Sequence, residues 1–369
     1  MRIIDRINAR IHPLMLLRLR GAYRKKLGIN RRKHPDVFRA ADAESRVEHI
    51  RLWRPLMKHV DPSWLDMFYG ISGTCDPRFV PEDIFYGVIE RCLNNCNAAG
   101  TQTEDKNNVC FYIPEECQPK VVVRYVRGVW FDGNLKPIDR SQAAALLREY
   151  PGDVVGKPSM NSCGGSNVQR FGRGELSVEK IEQKGEAYVV QECLTQEPLV
   201  AAFNPDSMNT CRLVTFRRPW SGKTGVIAGM VRFGCGKAIV DNLAAGGVSA
   251  DIAPDGTIAP FAVDHDFGKV TEHPVSRKPF KGFAIPYYDK MCEACVKVAE
   301  RVPDFNLLSF DVIARPDGTP CIIEINATSM TLAQVQTMRP LFGDETEKVV
   351  DWCAMHRNLD FFRHIRTWY

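Results

Sequence analysis

The stretch LLSFDVIARPDGTPCIIEINATSM, residues 307–330, decides the fold of this chain. It predicts two short β-strands joined by a tight turn at PDG, with oxygen-bearing side chains in each strand. Asp311 lies in the first strand, and Glu324 and Asn326 lie two residues apart in the second. Because side chains in a strand alternate between faces, Glu324 and Asn326 project together, and hairpin pairing can bring Asp311 beside them.

Three oxygen donors on one face are the ligands that Mg²⁺ prefers, with phosphate oxygens and water completing the octahedron. The same pattern is equally typical of an ordinary polar hairpin. The hairpin alone therefore leaves both interpretations open, and the motifs upstream of it are needed to decide.

A lysine followed by a glycine-rich loop lies in DVVGKPSMNSCGGSNVQRF, residues 153–171. A predicted strand carries Lys157, and the loop after it can point successive backbone N–H groups into one concavity that holds phosphate oxygens. The lysine precedes the glycines and no GK[ST] follows, which excludes a P-loop. A plain turn is the alternative for such a connection. The candidate loop residues are Ser162, Gly164, Gly165 and Ser166.

The segment AYVVQECLTQEP, residues 187–198, predicts a buried strand that runs into a hinge. Backbone groups around Gln191, Glu192 and Leu194 can bind an adenine edge, and the carboxylate of Glu197 can reach ribose hydroxyls. An ordinary strand end is the alternative, so the value of this segment lies in its position between the other two motifs.

The order of these motifs over residues 102–335 resembles the ATP-grasp superfamily. The resemblance implies an α+β ATP-grasp fold, in which two α+β subdomains clasp ATP, with a helical N-terminal extension. It identifies Lys106 in DKNNV and Lys157 in GKPS as phosphate-binding lysines, and QECL as the adenine hinge. It also identifies Asp311, Glu324 and Asn326 as ligands of Mg²⁺, with two ions expected beside ATP.

This resemblance, together with the change from helical to strand patterns along the chain, predicts five segments. They are a basic amphipathic leader (1–34), a helical N-terminal region (35–104), a lid subdomain with the phosphate loop (105–192), a catalytic subdomain with the Mg²⁺ site (193–335) and C-terminal helices (336–369).

Three further segments, NTCRLVTFR, IVDNLAAGGVSADI and EHPVS, resemble the branch called sugar-transfer-associated ATP-grasp, whose members are suspected of acting on saccharides. One position departs from the pattern: Ser309 stands where peptide-ligase relatives often carry an arginine. We expect Arg212 or Arg232 to supply that charge. The candidate acceptor-site residues are Asp241, Asn242, Gly246, Gly247 and His273.

Each candidate acceptor residue also has a structural interpretation. VDNLAAGG is typical of a turn as well as of a substrate loop, because glycines serve both. A lone histidine before Pro274 is more often structural than catalytic, and Arg232 can pair with an acid instead of binding substrate.

The resemblance implies an ADP-forming ligase that couples a carboxylate to an amine through an acyl-phosphate. We expect small-molecule substrates, such as an amino acid or amine and a uronic-acid-type saccharide or its precursor, in surface polysaccharide synthesis. An ATP-grasp phosphotransferase acting on a hydroxyl is the alternative. A non-catalytic scaffold is disfavoured because Lys157, Asp311, Glu324 and Asn326 are all present.

Composition predicts a water-soluble enzyme. The 369 residues are 44% hydrophobic and 25% charged, which is ordinary for a globular protein. No apolar run reaches the roughly 18–20 residues of a transmembrane helix, and the N-terminus shows no signal-peptide pattern. A cytoplasmic location is therefore expected.

The net charge of +5 is unevenly distributed: residues 1–34 contain eleven Lys and Arg and one acid, so this segment carries 11 − 1 = +10 and the rest carries 5 − 10 = −5. Its helical spacing of apolar residues suits either peripheral contact with an anionic membrane surface or packing against the body of the protein. No nucleic-acid motif accompanies the charge, so no nucleic-acid partner is expected.

The thirteen cysteines are scattered, which predicts reduced, mostly buried thiols. Two close pairs, Cys92/Cys96 and Cys292/Cys295, leave open the alternative of a four-thiolate zinc site.

Overall fold

Two antiparallel β-sheets form the centre of the computed structural model, and helices pack around them. The predicted α+β class is confirmed. The structure describes residues 3–94, 102–160, 167–236, 241–328 and 330–356, with the backbone alone for 3–10 and 12.

The first sheet carries the hinge and has the strand order β3-β2-β1-β6-β4-β5. Alternating Val and aromatic residues give it one buried face, on which α6 packs through Ala143 and Leu147. Its strands are β1 (Val121–Val126), β2 (Val129–Asp132), β3 (Pro137–Ile138), β4 (Val154–Pro158), β5 (Gln169–Phe171) and β6 (Ala187–Glu192).

The second sheet carries the decisive hairpin and has the order β11-β10-β9-β8-β7-β12-β13. The strand Leu307–Ala314 is buried at every position, as expected for a central strand covered on both faces. The strands are β7 (Cys211–Arg217), β8 (Thr224–Phe233), β9 (Val248–Asp251), β10 (Ala262–Val263), β11 (Lys269–Val270), β12 (Leu307–Ala314) and β13 (Pro320–Asn326).

The longer helices lie before the first sheet, between the sheets' strands and at the C-terminal end of the described chain. α9 places Met291, Cys295 and Val298 on the second sheet. The helices are α1 (Ile3–Lys33), α2 (Ala43–Trp53), α3 (Ser63–Ser72), α4 (Glu82–Ile84), α5 (Glu90–Leu93), α6 (Arg140–Glu149), α7 (Val178–Glu182), α8 (Pro198–Ala201), α9 (Tyr288–Glu300), α10 (Leu332–Val335) and α11 (Thr346–Met355). A π-helix, Phe85–Ile89, joins α4 to α5, and 3₁₀ turns span Pro35–Val37, Val109–Phe111, Glu115–Cys117, Leu243–Ala245 and Gly343–Glu345.

The run KVVVRYVRGVWF has the alternating pattern of a single strand, but it forms a hairpin of β1 and β2. Arg127 and Gly128 turn the chain with φ of 47° and 90°. Two successive positive φ angles match the right-handed twist of a two-residue hairpin, and glycine at the second position removes part of the steric cost.

The basic leader forms the 31-residue helix α1, which packs against the protein through Leu27 and Asn30. Ion pairs attach it: Lys26 lies 2.7 Å from Glu82, and Lys33 lies 2.5 Å from Asp266. The packing alternative therefore describes the C-terminal half of this helix. The membrane contact stays a prediction.

Within the described part of the chain, no helix has the length and apolar character needed to cross a lipid bilayer.

Candidate functional site

The hairpin of β12 and β13 has the predicted geometry. Asp311 lies directly opposite Glu324, and Ser309 lies opposite Asn326. Opposite residues of an antiparallel pair project to the same face, so the three predicted metal ligands share one side of the sheet. The turn between the strands closes with Arg315 N donating to Thr319 O at 2.9 Å.

Two arginines converge on Asp311 from the neighbouring strands. Strand pairing sets Arg212 of β7 opposite Asp311, and Arg212 donates Nε to Oδ1 at 2.8 Å and Nη2 to Oδ2 at 2.9 Å. Arg232 of β8 donates Nη2 to the same Oδ2 at 2.9 Å. The arginine expected near Ser309 is thus replaced in space by two guanidinium groups from other strands.

The pKa values of the two carboxylates in this cluster, Asp311 and Asp241, shift in opposite directions. Burial acts to raise the pKa of Asp311, but the charges of Arg212 and Arg232 outweigh it and hold the pKa well below its usual range. Burial raises the pKa of Asp241 despite its contact with Arg232. Asp241 accepts hydrogen bonds from Thr210 N and Oγ1 at 2.8 and 2.5 Å, which fixes it behind Arg232.

Two lysines approach the same face from the first sheet and the loop before it. Lys106 is buried and donates Nζ to Glu324 Oε1 at 3.0 Å. Lys157, on β4, is also buried, and burial together with the positive charge of Lys106 lowers the pKa of Lys157 to about 8. The site therefore holds a lysine whose charge depends on pH near neutrality.

This lowered pKa predicts pH-dependent nucleotide binding. Below pH 8 Lys157 is already protonated, whereas above it a bound polyanion must restore the proton, so affinity should fall by up to about tenfold per pH unit. Calorimetric titration with a non-hydrolysable ATP analogue and Mg²⁺ across this range measures the slope. The Lys157→Arg variant, which keeps its charge, should lack the decline, and a flat wild-type profile would contradict the assignment.

The glycine-rich phosphate loop cannot be placed. Ser162, Gly164, Gly165 and Ser166 lie outside the described residues. Their proposed role stays a prediction from the sequence.

The hinge lies at the end of β6, where Gln191, Glu192 and Leu194 line the same cleft as the lysines. The carboxylate of Glu192 is engaged: it accepts from Lys120 N at 2.9 Å and from Arg315 Nη2 at 2.7 Å. Glu197 does not line the cleft. Its Oε2 caps α8 by accepting from Leu199 N and Val200 N at 2.8 and 3.0 Å, which engages one oxygen of the carboxylate predicted to reach ribose.

The candidate acceptor loop divides into two parts. Asp241 and Asn242 line the cleft, whereas Gly246 and Gly247 do not. Asn242 accepts from Ala244 N at 3.1 Å, and Gly246 ends the turn with φ of 91°. These contacts give the two glycines a backbone role, as the turn interpretation expects.

Gly247 provides a test of that backbone role. A Cβ at this position would lie 2.8 Å from Asp241 O and 3.0 Å from Asn242 O and Phe233 O. Gly247→Ala should lower the free energy of unfolding by about 1–3 kcal/mol, measured by urea denaturation. Gly21→Ala on α1, where nothing lies within 4 Å, is the control and should be neutral or stabilising. Equal effects of the two changes would contradict the assignment.

His273 lies outside the cleft and is fully buried. Its Nε2 lies 2.9 Å from Gly234 O, its Nδ1 accepts from Ser276 N at 3.1 Å, and its ring packs edge-on against Phe233. Burial lowers its pKa, so the neutral imidazole is favoured. Both nitrogens are used within the protein, as the structural interpretation expects.

One cleft of about 1340 Å³ brings most of the predicted residues together. The predicted residues on its walls are Lys106, Lys157, Gln191, Glu192, Leu194, Arg212, Arg232, Asp241, Asn242, Asp311, Glu324 and Asn326. The cleft also has walls that the sequence did not predict, formed by Tyr23, Lys26, Glu82, Tyr86, Glu104, Thr210, Thr331 and Gln334. Glu82 and Tyr86 are four residues apart in a predicted helix, which is the only signal that pointed to a shared face.

A sequence model of the family described as sugar-transfer associated ATP-grasp matches residues 175–349, which include β6 to β13 and the Arg212, Asp311, Glu324 and Asn326 cluster. Residues 175–349, which are 175 of the 369, thus match the sugar-transfer-associated ATP-grasp family. The predicted superfamily and branch are confirmed. No curated protein matches the chain in sequence.

Solved structures similar to this chain include three enzymes. The ATP-grasp ligase PsnB, with a phosphomimetic variant of its minimal precursor, Mg and ADP, is 14% identical with a TM-score of 0.38, covering 70% of this chain and 60% of that one. VanG D-Ala:D-Ser ligase from Enterococcus faecalis is 10% identical with a TM-score of 0.41 and coverages of 74% and 64%. The biotin carboxylase–β-γ-ATP complex from Campylobacter jejuni is 10% identical with a TM-score of 0.42 and coverages of 69% and 47%. The chain spans about 60% of the length of PsnB, and similarity at this level assigns no activity.

An ATP-grasp domain implies Mg²⁺, and the hairpin residues fit the ion unequally. Glu324 exposes 29% of its side chain, and Asn326, which lines the same cleft, has an amide oxygen of the kind that binds Mg²⁺. Asp311 accepts three arginine N–H bonds, leaving about one of a carboxylate's four acceptor positions. Glu324 and Asn326 therefore fit well, and Asp311 can supply at most one metal bond.

Within the described ranges, no group of three or more His, Cys, Asp or Glu side chains is arranged to hold a metal ion. A Mg²⁺ site here therefore depends on the Asn326 amide and on phosphate oxygens. The zinc alternative gains no support: Cys92 and Cys295 belong to different core clusters, and Cys96 lies outside the described residues.

Proposed function

We propose that this ATP-grasp domain is an ATP-dependent ligase that couples a carboxylate to an amine through an acyl-phosphate. One observation carries the proposal: Arg212 and Arg232 converge on Asp311 in the cleft that also holds Lys106 and Lys157. A carboxylate can dock on the guanidinium groups while a polyphosphate docks on the lysines.

Arg212 keeps donors available for this task. Its Nε and Nη2 bond Asp311, and its Nη1 donates to Thr331 Oγ1 at 2.6 Å. A guanidinium has five N–H donors, so two remain for a substrate carboxylate or for the oxyanion formed from it. Since Asp311 anchors the group at two atoms, those donors are held in a fixed orientation.

The lysines are assigned to the phosphates. Lys106 and Lys157 are buried cations beside one carboxylate, Glu324, and their mutual repulsion is relieved when an anion binds between them. Gln191 and Leu194 lie at the hinge end of the cleft, where an adenine ring can stack and hydrogen-bond.

Glu324 and Asn326 would hold Mg²⁺, with Asp311 as a third ligand through its remaining acceptor position. Bound there, Mg²⁺ would neutralise phosphate charge during phosphoryl transfer. The number of ions, two in our expectation, stays a prediction.

The proposed reaction has two steps. The substrate carboxylate oxygen bonds to the γ-phosphorus and the bond from that phosphorus to the bridging oxygen of ADP breaks, giving acyl-phosphate and ADP. The amine nitrogen then bonds to the acyl carbon, the carbon–oxygen bond to phosphate breaks, and the amine proton passes to solvent. Arg212 stabilises the negative charge on the acyl oxygen between these bond changes.

We propose a uronic-acid-type saccharide or its precursor as the carboxylate. The family description associates the domain with sugar transfer, and the walls around Thr210 and Asp241 offer hydroxyl and carboxylate groups that can hydrogen-bond sugar hydroxyls.

Hydroxylamine trapping tests the proposed chemistry. The purified protein is incubated with ATP, Mg²⁺, hydroxylamine and a panel of carboxylates that includes glucuronate and galacturonate. A ligase should give ADP and a hydroxamate that mass spectrometry identifies. ADP release with a phosphorylated hydroxyl and no hydroxamate would instead establish the phosphotransferase alternative and overturn the ligase proposal.

A further inference from the structure

Helix α1 forms one wall of the cleft, although the sequence match to the family begins far downstream. Tyr23 and Lys26 line the cleft, and Lys26 Nζ donates to Glu82 Oε2 at 2.7 Å. The helix approaches closely: a Cβ on Gly87 would lie 2.8 Å from Leu16 Cδ2. Helix α1 is therefore packed against the rest of the protein where it forms this wall.

A short chain of contacts connects this wall to the proposed reaction centre. Arg212 Nη1 donates to Thr331 Oγ1 at 2.6 Å, and the next residue, Leu332, donates its N–H to Tyr86 Oη at 3.1 Å. The ring of Tyr86 stacks on Tyr23 with centroids 5.8 Å apart and planes 8° apart. A molecule bound between this wall and Arg212 would lie next to the group that is activated there.

The same end of the cleft carries an excess of hydrogen-bond acceptors. Gln334 is 4% exposed and lines the cleft, and its Oε1 has no hydrogen-bond partner among the described residues. Among the described residues, Glu104 accepts through Oε1 from Ala327 N, Thr328 N and Thr328 Oγ1. A buried acceptor without a donor costs about 1–3 kcal/mol, which a donating ligand would recover.

The charge of this end favours a cation. Two carboxylates, Glu82 and Glu104, line it, and Lys26 is the one basic residue of α1 on the cleft wall within the described chain. An ammonium group has three donors and no acceptor, which matches an acceptor-rich wall that holds the carboxyl groups of Glu82 and Glu104. Stacked aromatic rings can in addition contact the body of the ligand or its charge.

We infer that Tyr23, Glu82, Tyr86, Glu104 and Gln334 form an α1 subsite that binds the primary ammonium group of the second substrate. The inference rests on the proposed ligase function, because it assigns the nucleophile to the end of the cleft beyond Arg212. The bound ammonium releases one proton to solvent before its nitrogen bonds to the acyl carbon, and the second proton leaves after that bond forms. Lys26 partly neutralises the charge of Glu82. In the free protein it therefore weakens the attraction of this subsite for a ligand cation.

Binding of small amines tests the subsite without turnover. Saturation-transfer NMR on full-length protein, loaded with Mg²⁺ and a non-hydrolysable ATP analogue, compares glucosamine and ethylammonium with N-acetylglucosamine and ethanol. We expect an amine to bind at least about fivefold more tightly than its neutral partner. Equal binding within both pairs, or no binding of either amine, would overturn the inference.

Variants locate the binding on α1. Lys26→Met, which removes a competing cation from a side chain 37% exposed, should strengthen amine binding by about fivefold, whereas Lys25→Met on the exposed face should leave it unchanged. Gln334→Glu should strengthen binding and Gln334→Met should weaken it. Weaker binding in Lys26→Met, or identical changes in both lysine variants, would contradict the assignment.

Hydroxamate formation separates the two proposals. Hydroxylamine is uncharged at neutral pH and needs no ammonium subsite, so trapping by the wild-type protein reports acyl-phosphate formation independently of the subsite. Hydroxamate formation by wild-type protein without amine selectivity would refute the subsite alone. Absence of hydroxamate from wild-type protein would refute the ligase.

Discussion

Replacing Glu324 with glutamine is expected to lower ATP turnover by about 10²–10³-fold. The substitution keeps the size and one oxygen of the side chain but removes the charge that faces Lys106 at 3.0 Å. It also replaces one carboxylate oxygen of a proposed metal ligand, so the Mg²⁺ concentration needed for half-maximal turnover should rise. Coupled-enzyme measurement of ADP release over a Mg²⁺ series gives both quantities.

Glu345→Gln is the matched control for this prediction. Glu345 exposes 27% of its side chain, against 29% for Glu324, and lies 2.7 Å from Arg218, outside the cleft. Its loss should leave turnover and Mg²⁺ dependence unchanged. If Glu324→Gln turned over ATP as well as this control, the metal and phosphate assignment would be wrong.

Asp311→Asn is expected to have the largest effect on stability, lowering the free energy of unfolding by about 3–5 kcal/mol. The change leaves Arg212 and Arg232 buried beside a neutral amide, with side chains 9% and 14% exposed. It should also abolish turnover, because Arg212 loses the partner that orients it. Urea denaturation and ADP release measure the two effects on the same preparation.

Asp66→Asn is the control that separates the loss of stability from the loss of turnover. Asp66 is a buried carboxylate that Arg46 Nη2 contacts at 2.7 Å, and it does not line the cleft. Its substitution should cost stability, less than at Asp311 because Arg46 is 36% exposed, and should preserve turnover of the folded protein. Retained turnover in Asp311→Asn would rule out the orienting role of this carboxylate.

The ion pairs of Asp311 with Arg212 and Arg232 also make the stability of the protein depend on pH in the acid range. Because the folded-state pKa of Asp311 lies below its usual range, its ionised form contributes stability above the pKa of the unfolded chain. That contribution is lost as pH falls through the folded-state pKa. The Asp311→Asn variant should therefore show a shallower decline in stability on acidification than the wild type.

The decisive hairpin could be predicted because its information is local. Alternation of side chains and a PDG turn determine that Glu324 and Asn326 share a face, and pairing adds Asp311. The sequence predicted that Arg212 or Arg232 supplies a positive charge near Ser309, but it did not predict that both arginines bind the carboxylate of Asp311. That binding depends on which strands are neighbours in the second sheet, and these residues lie 99 and 79 positions from Asp311.

Some polar side chains form hydrogen bonds with the backbone of a neighbouring helix, and a sequence motif does not reveal these bonds. Glu197 has the sequence position proposed for a ribose ligand, but the start of α8 supplies two N–H donors to its carboxylate first. In α6, the carboxylate of Asp139 caps the helix and accepts from Gln142 N at 2.8 Å. Both cases show a polar side chain engaged by its own helix.

The position of α1 could not be deduced from its pattern. Apolar residues at helical spacing between arginines suit a membrane surface and a protein groove equally well. The choice depends on contacts such as Lys26 with Glu82, which are 56 residues apart. For that reason the position of Tyr23 and Lys26 on the cleft wall could not be predicted from the sequence.

Transfer of oxygen from the carboxylate to phosphate tests the central claim most directly. A substrate found by hydroxylamine trapping is labelled with ¹⁸O in its carboxylate and allowed to react with ATP and its amine. An acyl-phosphate route predicts that each phosphate released carries one ¹⁸O atom and that the amide keeps the other, as mass spectrometry of both products would show. Unlabelled phosphate formed together with the amide would contradict the account.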